Sequence, residues 1–347
     1  MTTTQPGGVP SAAEHAPEDN APSIATPPPE HGSAAPATPP VDKRLKALRM
    51  FAISITVFNV LGHLFLGFEQ SPLTPIVAVL VGYVLDLLLE TLDARADGRA
   101  PGYTGGPQQF VDYLLPTHIS SLACAMLLWG NESLWPYLLA VAVAVGSKYL
   151  FRVTVRGRRR HVLNPSNTGI AVTLILFPWV GIAPPYHFTN NTFGALDWLI
   201  PLGILMAGTM LNANLTGRWP LILGWVGGFA AQAVLRWLVL DHALLAALMP
   251  MTGVAFILFT NYMITDPSTT PTNRRNQVIF GVGTAAVYGL LVSFHIVFGL
   301  FFALVITCAV RGVILLATSR GAEQDSTGRA TTAGTGGQSA PTSDTTG

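Results

Sequence analysis

Two short polar segments interrupt an otherwise apolar sequence, and their residue types could bind an anion. Residues 164–169 read Asn-Pro-Ser-Asn-Thr-Gly and residues 266–271 read Asp-Pro-Ser-Thr-Thr-Pro, each near an arginine cluster. Asn or Asp followed by Pro is a favourable helix start, and its free N–H groups and positive dipole end attract a phosphate or carboxylate. The sequence therefore predicts that both segments line one binding site. The side chains that would line it are Asn164, Ser166, Asn167, Thr168, Asp266, Ser268, Thr269 and Thr270.

The likeness of the two segments has two interpretations. In the first, they are capped helix starts beside the arginines that flank membrane helices, with no further role. In the second, they belong to an internal, inverted repeat, and the site lies at the interface of its halves, as in many membrane carriers. Their position on one predicted membrane face favours the second interpretation.

Four carboxylates form a second group that could do chemistry. Asp86, Glu90, Asp93 and Asp97 have the spacing of one helix face, at the end of an apolar run. Carboxylates within a membrane are costly and often serve cations or protons. Asp86 and Glu90 lie deeper in the run and are the predicted ion pathway. Asp93 and Asp97 are expected to lie in water beside neighbouring arginines.

Ten apolar runs must position these side chains. Each is long enough, at roughly 20 residues, to cross a bilayer as a helix. The runs are 47–68, 72–92, 111–130, 134–151, 165–183, 198–215, 220–240, 244–264, 277–294 and 296–317. The pattern predicts an all-α, polytopic integral membrane protein with about ten transmembrane helices in the lipid bilayer.

Charge content supports a membrane protein and excludes several other classes. Charged residues make up 11% of the chain, and residues 43–319 hold only 27 of them, too few to cover a soluble surface of that size. The net charge of +1 gives no electrostatic reason to expect nucleic-acid binding. Cys124 and Cys308 lie far apart in apolar runs, so neither an iron–sulfur site nor a zinc site is expected.

Basic residues orient the predicted spans. With ten spans, 18 of the 19 lysines and arginines fall on one membrane face, and Arg236 falls on the other. Cytoplasmic segments of membrane proteins carry the excess of basic residues. Both termini are therefore predicted to be cytoplasmic, in a multi-pass protein of the cytoplasmic membrane.

Composition divides the chain into three regions. Residues 1–42 hold ten of the 26 prolines, mixed with Ala, Thr and Gly, and are predicted to be a disordered tail. Residues 43–318 form the predicted ten-helix transmembrane domain. Residues 319–347 are rich in Gly, Ser and Thr and are predicted to be a second disordered tail.

Several of these motifs together resemble a known family. Gly146-Ser147-Lys148, then Asn164-Pro165 opening a span and Phe177-Pro178 closing it, resemble a pattern in the D-type membrane component of the Rnf electron-transport complex. The B-type membrane component of the sodium-translocating NADH:quinone reductase shares that pattern. Thr265-Asp266-Pro267 resembles the family's Thr-Asp-Pro signature. The resemblance covers roughly residues 110–315.

The resemblance implies a fold and a function. Family members have about ten transmembrane helices, bind flavins and pass electrons within a larger complex, coupled to ion transport. The resemblance therefore implies further membrane or redox subunits as partners. It also adds Lys148 to the predicted site as an anion contact, with snorkelling of its ammonium to the membrane interface as the alternative.

One departure from the family bears on the cofactor. Characterised members carry FMN joined covalently to a Thr in a Ser/Thr-Gly-Ala-Thr sequence, in the loop after the Asn-Pro helix. Here Gly194-Ala195 is followed by Leu196, which has no hydroxyl to form a phosphoester. We expect a noncovalent flavin, FMN or riboflavin, rather than covalent FMN. The chain also resembles diverged relatives encoded beside enediyne polyketide synthases, which implies a role in enediyne antibiotic biosynthesis.

Functions from different classes stay open. The first is a membrane subunit that holds a flavin or quinone without a covalent link and relays electrons, coupled to ion movement. The second is a transporter of an ion, solute or natural product that uses the same scaffold without a redox cofactor. A noncatalytic assembly subunit is the third. A visible absorption spectrum separates the first two, because a bound flavin is coloured.

Overall fold

The computed structural model describes residues 43–155, 158–183 and 187–335. This part of the chain is almost entirely helical, and the predicted all-α, polytopic membrane fold is confirmed. The predicted disorder of residues 1–42 falls outside the described residues.

Among its described residues, the first half of the chain has five helices and two short antiparallel ladders. The helices are α1 (Lys43–Leu61), α2 (Leu73–Ala96), α3 (Pro107–Leu127), α4 (Trp135–Leu150) and α5 (Pro165–Leu176). In the ladders, β1 (Leu128–Trp129) pairs with β4 (Gly181–Ile182), and β2 (Arg152–Val155) pairs with β3 (Arg158–His161). The β2–β3 hairpin connects α4 to α5.

The second half repeats this helical organisation. Its helices are α6 (Leu196–Leu211), α7 (Trp219–Leu240), α8 (Leu244–Leu248), α9 (Val254–Leu258), α10 (Arg274–Ser293) and α11 (Gly299–Thr335). Single turns of π-helix extend α1 over Gly62–Leu66, α6 over Asn212–Thr216 and α9 over Phe259–Met263. A 3₁₀ segment, Met249–Thr252, follows α8.

Within the described residues, seven helices are long and apolar enough to cross a bilayer, or eight if the α8–α9 pair is one span. This corrects the prediction of ten full-length spans. At about 1.5 Å per residue, the 16 residues of α4 and the 12 of α5 are shorter than the ~30 Å hydrocarbon core. α5 ends at Leu176 because Pro178 disfavours helical geometry at Phe177. The α8–α9 pair is bent by 67° at Gly253.

The last helix continues past the predicted end of the membrane domain. α11 runs to Thr335, whereas composition places the start of a disordered tail at residue 319. The residues from Ala322 to Gln324 are good helix formers, whereas most residues of 326–335 are Gly, Ser or Thr, so helix propensity does not account for the last three turns. The prediction for residues 336–347 falls outside the described part of the chain.

The two halves share a pattern of helix packing. α2 packs on α4 as α7 packs on α10, and α4 packs on α5 as α10 packs on α11. α1 and α6 both end in a π-helical turn, followed by Gly67 and Gly217 with φ of 69° and 63°. With the α8–α9 pair counted once, each half has five helical segments, the odd number that an inverted repeat requires. These features support the predicted internal repeat.

Among the described helices, α7 and α10 share the most extensive contact, and glycines make their close approach possible. A Cβ added at Gly281 would lie 2.6 Å from the Trp225 backbone nitrogen, and one at Gly224 would lie 2.7 Å from the Val278 carbonyl oxygen. Small residues at helix contacts let backbones approach closely in membrane proteins. The α7–α10 contact therefore forms a closely packed centre of the second half.

Candidate functional site

Asn164 caps the N-terminus of α5, as the sequence predicts. Its Oδ1 accepts hydrogen bonds from the Asn167 N–H at 3.0 Å and from the Ser166 hydroxyl at 3.1 Å. The same side chain reaches the second half of the chain, because its Nδ2 donates to the Met263 carbonyl at 3.1 Å. Asn164 therefore fixes the start of α5 to the turn that leads into Asp266.

Asn167 and Thr168 also bond to the protein's own backbone. Asn167 Nδ2 donates to the Phe301 carbonyl in α11 at 2.8 Å, and Thr168 Oγ1 donates to the Asn164 carbonyl at 2.7 Å. Both side chains are buried, and Asn167 Oδ1 has no hydrogen-bond partner within the described residues. The first polar segment thus joins α5 to α11 and to the π-helical turn after α9, with one acceptor left over.

Asp266 closes the second polar segment into a turn. Its carboxylate accepts from the Ser268 N–H at 2.9 Å and from the Thr269 hydroxyl at 3.1 Å. Its backbone carbonyl accepts from Thr270 Oγ1 at 2.6 Å. The polar residues of this segment are therefore engaged with one another within the turn.

This turn corrects the prediction that Asp266 starts a helix. The next helix, α10, begins at Arg274, and its cap is Asn273, whose side chain accepts from the Arg275 N–H. Pro271 explains the difference, because a proline in the second turn of a helix would remove a hydrogen bond and clash with the preceding turn. The packing repeat likewise matches the start of α5 to the start of α11, so Asn164 and Asp266 are not equivalent positions.

Two arginines hold the turn in place. Arg218 donates to the carbonyls of two prolines in the turn, and Arg311 Nη1 donates to the Thr269 carbonyl at 2.8 Å. Arg218 is 4% exposed, and burial lowers the pKa of its guanidinium while the charge of Asp266 opposes that shift. Sequence reasoning missed both arginines as parts of the site. The sequence did contain a signal for them, because both arginines lie on the same predicted membrane face as the turn.

The two polar segments lie near one another, with His161 close to the second. Burial lowers the pKa of the His161 imidazole; the Asp266 carboxylate raises it and the Lys148 ammonium lowers it. The Asn164 contact to Met263 links the segments directly. The structure therefore brings together eight of the nine predicted binding residues, whereas Lys148 has a different partner.

Lys148 pairs with Asp86 in the interior of the first half. Its Nζ lies 2.8 Å from Asp86 Oδ1 and donates to Thr117 Oγ1 at 2.7 Å. Tyr149 donates to Asp86 Oδ1 at 2.8 Å, and Thr117 donates to Asp86 Oδ2. The Asp86 side chain is 1% exposed. This ion pair takes the place of the anion contact that the family resemblance implies for Lys148.

The other carboxylates of α2 also have cationic partners. We call Asp86, Glu90, Asp93 and Asp97 the carboxylate ladder. Its outer ion pairs are Glu90–Arg99 at 2.6 Å, Asp93–Arg99 at 2.7 Å, Asp93–Arg152 at 2.9 Å and Asp97–Arg159 at 2.5 Å. The hydrogen bond to Glu90 is the main cause that raises the pKa of the Arg99 guanidinium. Four carboxylates therefore face four cations, from a buried end at Asp86 to an exposed end at Asp97.

Two cavities bear on cofactor binding. One of about 40 Å³ touches Ser166 and is far below the roughly 300–1,000 Å³ of ligand pockets. The other, of about 950 Å³, lies between α9, α10 and α11, and its polar lining side chains are Tyr288 and His295. The nine predicted residues do not line it, although Met263 and Phe301, the carbonyl partners of the first segment, do. The polar segments thus do not fit a flavin, and they support the wall of the larger cavity.

The loop that carries FMN in the family that the sequence resembles is exposed here. Leu196 begins α6 and is 50% exposed, and its side chain offers no hydroxyl. Thr192 Oγ1 donates to Asp197 Oδ1 at 2.6 Å and to the Thr189 carbonyl at 3.1 Å. The position at which the family forms the phosphoester therefore has no hydroxyl in this chain.

Comparison with known proteins supports a distant relationship to one membrane protein. Over 112 residues the chain is 30% identical to the D component of the ion-translocating oxidoreductase complex of Cronobacter sakazakii. The match covers 32% of this chain and 30% of that relative, so the chain spans less than a third of the relative's length. No family model matches the chain.

Proposed function

We propose that this chain is a membrane subunit of an ion-translocating electron-transport assembly, and that its carboxylate ladder takes part in ion movement. The observation that carries the proposal is the buried Asp86–Lys148 ion pair. Acidic side chains inside membrane proteins are rare and costly, and they often belong to ion or proton pathways. The similar protein from C. sakazakii is one component of an ion-translocating oxidoreductase complex, which supports the same class of function.

The contacts of Asp86 suit the exchange of a proton or cation. The Tyr113 and Tyr149 hydroxyls lie 2.8 Å apart, and Tyr149 lies 2.8 Å from Asp86 Oδ1. Because a hydroxyl both donates and accepts, this line of atoms can pass a proton to or from the carboxylate. Lys148 compensates the charge of Asp86 in the resting arrangement, and an arriving proton or cation would release it. The ladder would then connect this step to the exposed end of α2.

A noncovalent redox cofactor is proposed for the larger cavity rather than for the polar segments, and the lining of this cavity favours a quinone over a flavin. Such a group supplies the redox chemistry when bound, while the protein supplies binding and orientation. Among the described residues, the polar side chains of the lining are those of Tyr288 and His295, and such a lining suits an apolar ring better than the polar edge of a flavin. Electrons would come from partner subunits. A role in enediyne biosynthesis rests on the sequence resemblance alone.

The ion-coupling proposal is tested in inverted membrane vesicles from the producing cells. Vesicles are energised with NADH, and ion uptake is followed with pH-sensitive and sodium-sensitive dyes. Asp86→Asn and Lys148→Met should each abolish the uptake that depends on this chain. Asp112→Asn is the matched control, since Asp112 also pairs with a cation, Arg49, but at a more exposed position. Unchanged uptake with Asp86→Asn would overturn the proposal.

A transporter without a redox cofactor is the second candidate function, and the apolar cavity favours it. Its volume of about 950 Å³ is at the upper end of ligand pockets, and its lining is mostly apolar. This would suit a bulky apolar solute, including a natural product. The absorption spectrum of the purified protein and of its solvent extract separates the two functions, in the visible range for a flavin and in the ultraviolet for a quinone. A flavin or quinone recovered with the protein supports electron transport, whereas a protein that carries neither and exports a solute supports the transporter.

A further inference from the structure

A half-buried histidine in the middle of α3 connects three membrane helices. The two ring nitrogens of His118 lie 2.8 Å from the Tyr83 hydroxyl of α2 and 2.8 Å from the Thr56 hydroxyl of α1. All three residues lie near the middle of helices that are long and apolar enough to cross a bilayer. Ionisable side chains at this depth are rare and costly, and by default they are candidates for a function.

The hydrogen bonds determine which nitrogen of the neutral ring carries the proton. The Thr56 hydroxyl donates to the Ala52 carbonyl at 2.7 Å, so its oxygen accepts from His118 Nε2. Nδ1 then accepts from the Tyr83 hydroxyl. Because a hydroxyl both donates and accepts, the same Tyr83 oxygen can accept from Nδ1 once that nitrogen is protonated. The neutral and the charged ring are therefore both hydrogen-bonded in one geometry.

On one side, His118 lies next to the buried end of the carboxylate ladder. Tyr83 and Asp86 are three residues apart and lie on one face of α2. In α3, Thr117 directly precedes His118, and its hydroxyl donates to Asp86 Oδ2. The ladder and the His118 ring are thus separated by a single turn on both helices.

On the opposite side, a polar face of α1 continues away from the ladder. Thr56, Asn59 and His63 have the spacing of one helix face. His63 Nδ1 lies 2.8 Å from the Asn59 carbonyl oxygen, so Nδ1 carries the proton and Nε2 is an acceptor. This Nε2 and Asn59 Oδ1 are buried and have no hydrogen-bond partner among the described residues. Buried water usually satisfies such atoms, so this face offers proton acceptors beyond His118.

We propose that His118 is the proton-transfer group that joins the carboxylate ladder to this polar face of α1, and that the ion moved through the first half is a proton. The inference rests on the proposed function and names its ion. Imidazole is the side chain best suited to gain and lose a proton near neutral pH. Hard cations such as sodium are bound by oxygen ligands, and a ring that presents nitrogen atoms to both neighbours does not supply them.

Each transfer conserves the number of protons. His118 takes a proton at Nδ1 from the Tyr83 hydroxyl, and the Tyr83 oxygen takes one from the side of the ladder. The charged ring then releases its Nε2 proton to Thr56, whose hydroxyl passes its own proton on. Asp86 and Lys148 are the charged groups on the ladder side, and they pair with each other. The partners of the two ring nitrogens are uncharged hydroxyls, so no carboxylate holds the proton on His118.

The identity of the ion is measured first on the wild-type protein, which requires no variant to fold. Inverted vesicles that contain the chain are compared with vesicles from cells that lack it, both energised with NADH. We expect a change of lumenal pH that depends on the chain and persists in sodium-free medium. Sodium uptake that depends on the chain and persists with a protonophore would overturn the inference. The proposed function would still hold in that case, provided that Asp86→Asn abolishes the uptake.

Substitutions then test His118 itself. His118→Gln keeps a polar side chain that cannot take up a proton near neutral pH, and Tyr83→Phe removes the partner of Nδ1 with little change of shape. Each should lower proton uptake per folded protein by at least roughly tenfold, as expected for loss of a proton-transfer group. His242→Gln, in the segment after α7, is the matched control and should leave uptake unchanged.

The variants also separate failure of this inference from failure of the proposed function. Unchanged proton uptake in His118→Gln or Tyr83→Phe would overturn the inference, and a loss with Asp86→Asn in the same vesicles would leave the proposed function in place. Uptake of neither ion that depends on the chain would overturn both. If His118→Gln does not insert, Tyr83→Phe and the ion measured with the wild-type protein decide the outcome.

Discussion

Lys148 Nζ lies 2.8 Å from Asp86 Oδ1, although the two residues are 62 positions apart and belong to different helices, α4 and α2. The contact joins the only lysine among the predicted site residues to the deepest carboxylate of the ladder. Each charge stabilises the other in the low-dielectric interior, because an isolated buried charge is very unfavourable. The pair therefore has a consequence for stability as well as for ion movement.

Removing one partner of the pair should cost much more stability than removing both. Asp86→Asn leaves the Lys148 ammonium without a counter-charge, and loss of one partner of a buried pair costs about 3–5 kcal/mol. The double variant Asp86→Asn with Lys148→Met should recover a large part of that loss. The measurement is the free energy of unfolding in mixed detergent micelles. Asp112→Asn should have little effect, and a double variant as unstable as the sum of the singles would contradict the prediction.

Asn164→Ala and Asp266→Ala test whether the two polar segments act together. Each removes a side-chain acceptor that caps a turn or helix, at a cost of about 0.5–2 kcal/mol. Asn164→Ala also removes the bond to Met263, which lies three residues before Asp266. We expect the double variant to lose less activity per folded protein than the sum of the singles. Asn273→Ala, which removes the cap of α10, is the control; fully additive losses would mean that the segments are independent.

The sequence was sufficient to predict the fold and the local role of Asn164. Long apolar runs have one stable outcome in a bilayer, because backbone groups must bond within a helix. An Asn-Pro at the start of such a run favours Asn as the N-cap and Pro as the first helical residue, and α5 begins in this way. The short helices α4 and α5 were less predictable, since apolar residues that pack inside the protein look the same as residues that face lipid.

The partners of the ladder could not be predicted, because they depend on tertiary packing. The spacing of Asp86, Glu90, Asp93 and Asp97 indicates one helix face, but no local pattern shows that Lys148, Arg152 and Arg159 lie opposite. The error at Asp266 has a local cause. Its likeness to Asn164 extends over Pro-Ser and Thr, whereas the decisive residue is Pro271, which prevents a helix from continuing.

We expect this chain to carry no covalently attached flavin, and we expect two substitutions to make attachment possible. The loop is accessible, since Phe193 is 85% exposed and Leu196 is 50% exposed. Co-expressed with a flavin transferase, the wild-type band should show no flavin fluorescence on a denaturing gel. The double variant Phe193→Ser with Leu196→Thr restores the family's Ser-Gly-Ala-Thr sequence and should fluoresce. A fluorescent wild-type band would show that another hydroxyl, such as that of Thr192, accepts the flavin.

Acid should destabilise the protein partly through His161, which lies in β3 outside the membrane spans. Its folded-state pKa is lowered by burial first, opposed by Asp266, and lowered further by Lys148, Arg44 and Arg152. Below the ordinary pKa of about 6.5 the unfolded chain binds more protons than the folded one, so stability falls as pH falls. His161→Gln should reduce the loss of melting temperature on acidification. His242→Gln, in the segment after α7, is the control. If both variants and the wild type lose the same melting temperature on acidification, His161 has no such role.

The last prediction concerns which face of the protein is cytoplasmic. Asn191 bonds to Leu66 beside the start of α2, and Thr104 follows the end of α2, so the 24-residue span Leu73–Ala96 separates the two loops. The excess of basic residues on one face predicts that the loop with Thr104 is inside and the loop with Phe193 is outside.

Single cysteines at these two positions decide the orientation. Phe193→Cys should react with an impermeant maleimide in intact cells, whereas Thr104→Cys should react only after the cells are permeabilised. The native Cys124 and Cys308 are buried and unpaired, with 0% exposure, so background labelling should be low. Labelling at Thr104→Cys in intact cells would reverse the topology. It would also put the exposed end of the carboxylate ladder on the outer face, and ion movement through Asp86 would then begin outside the cell.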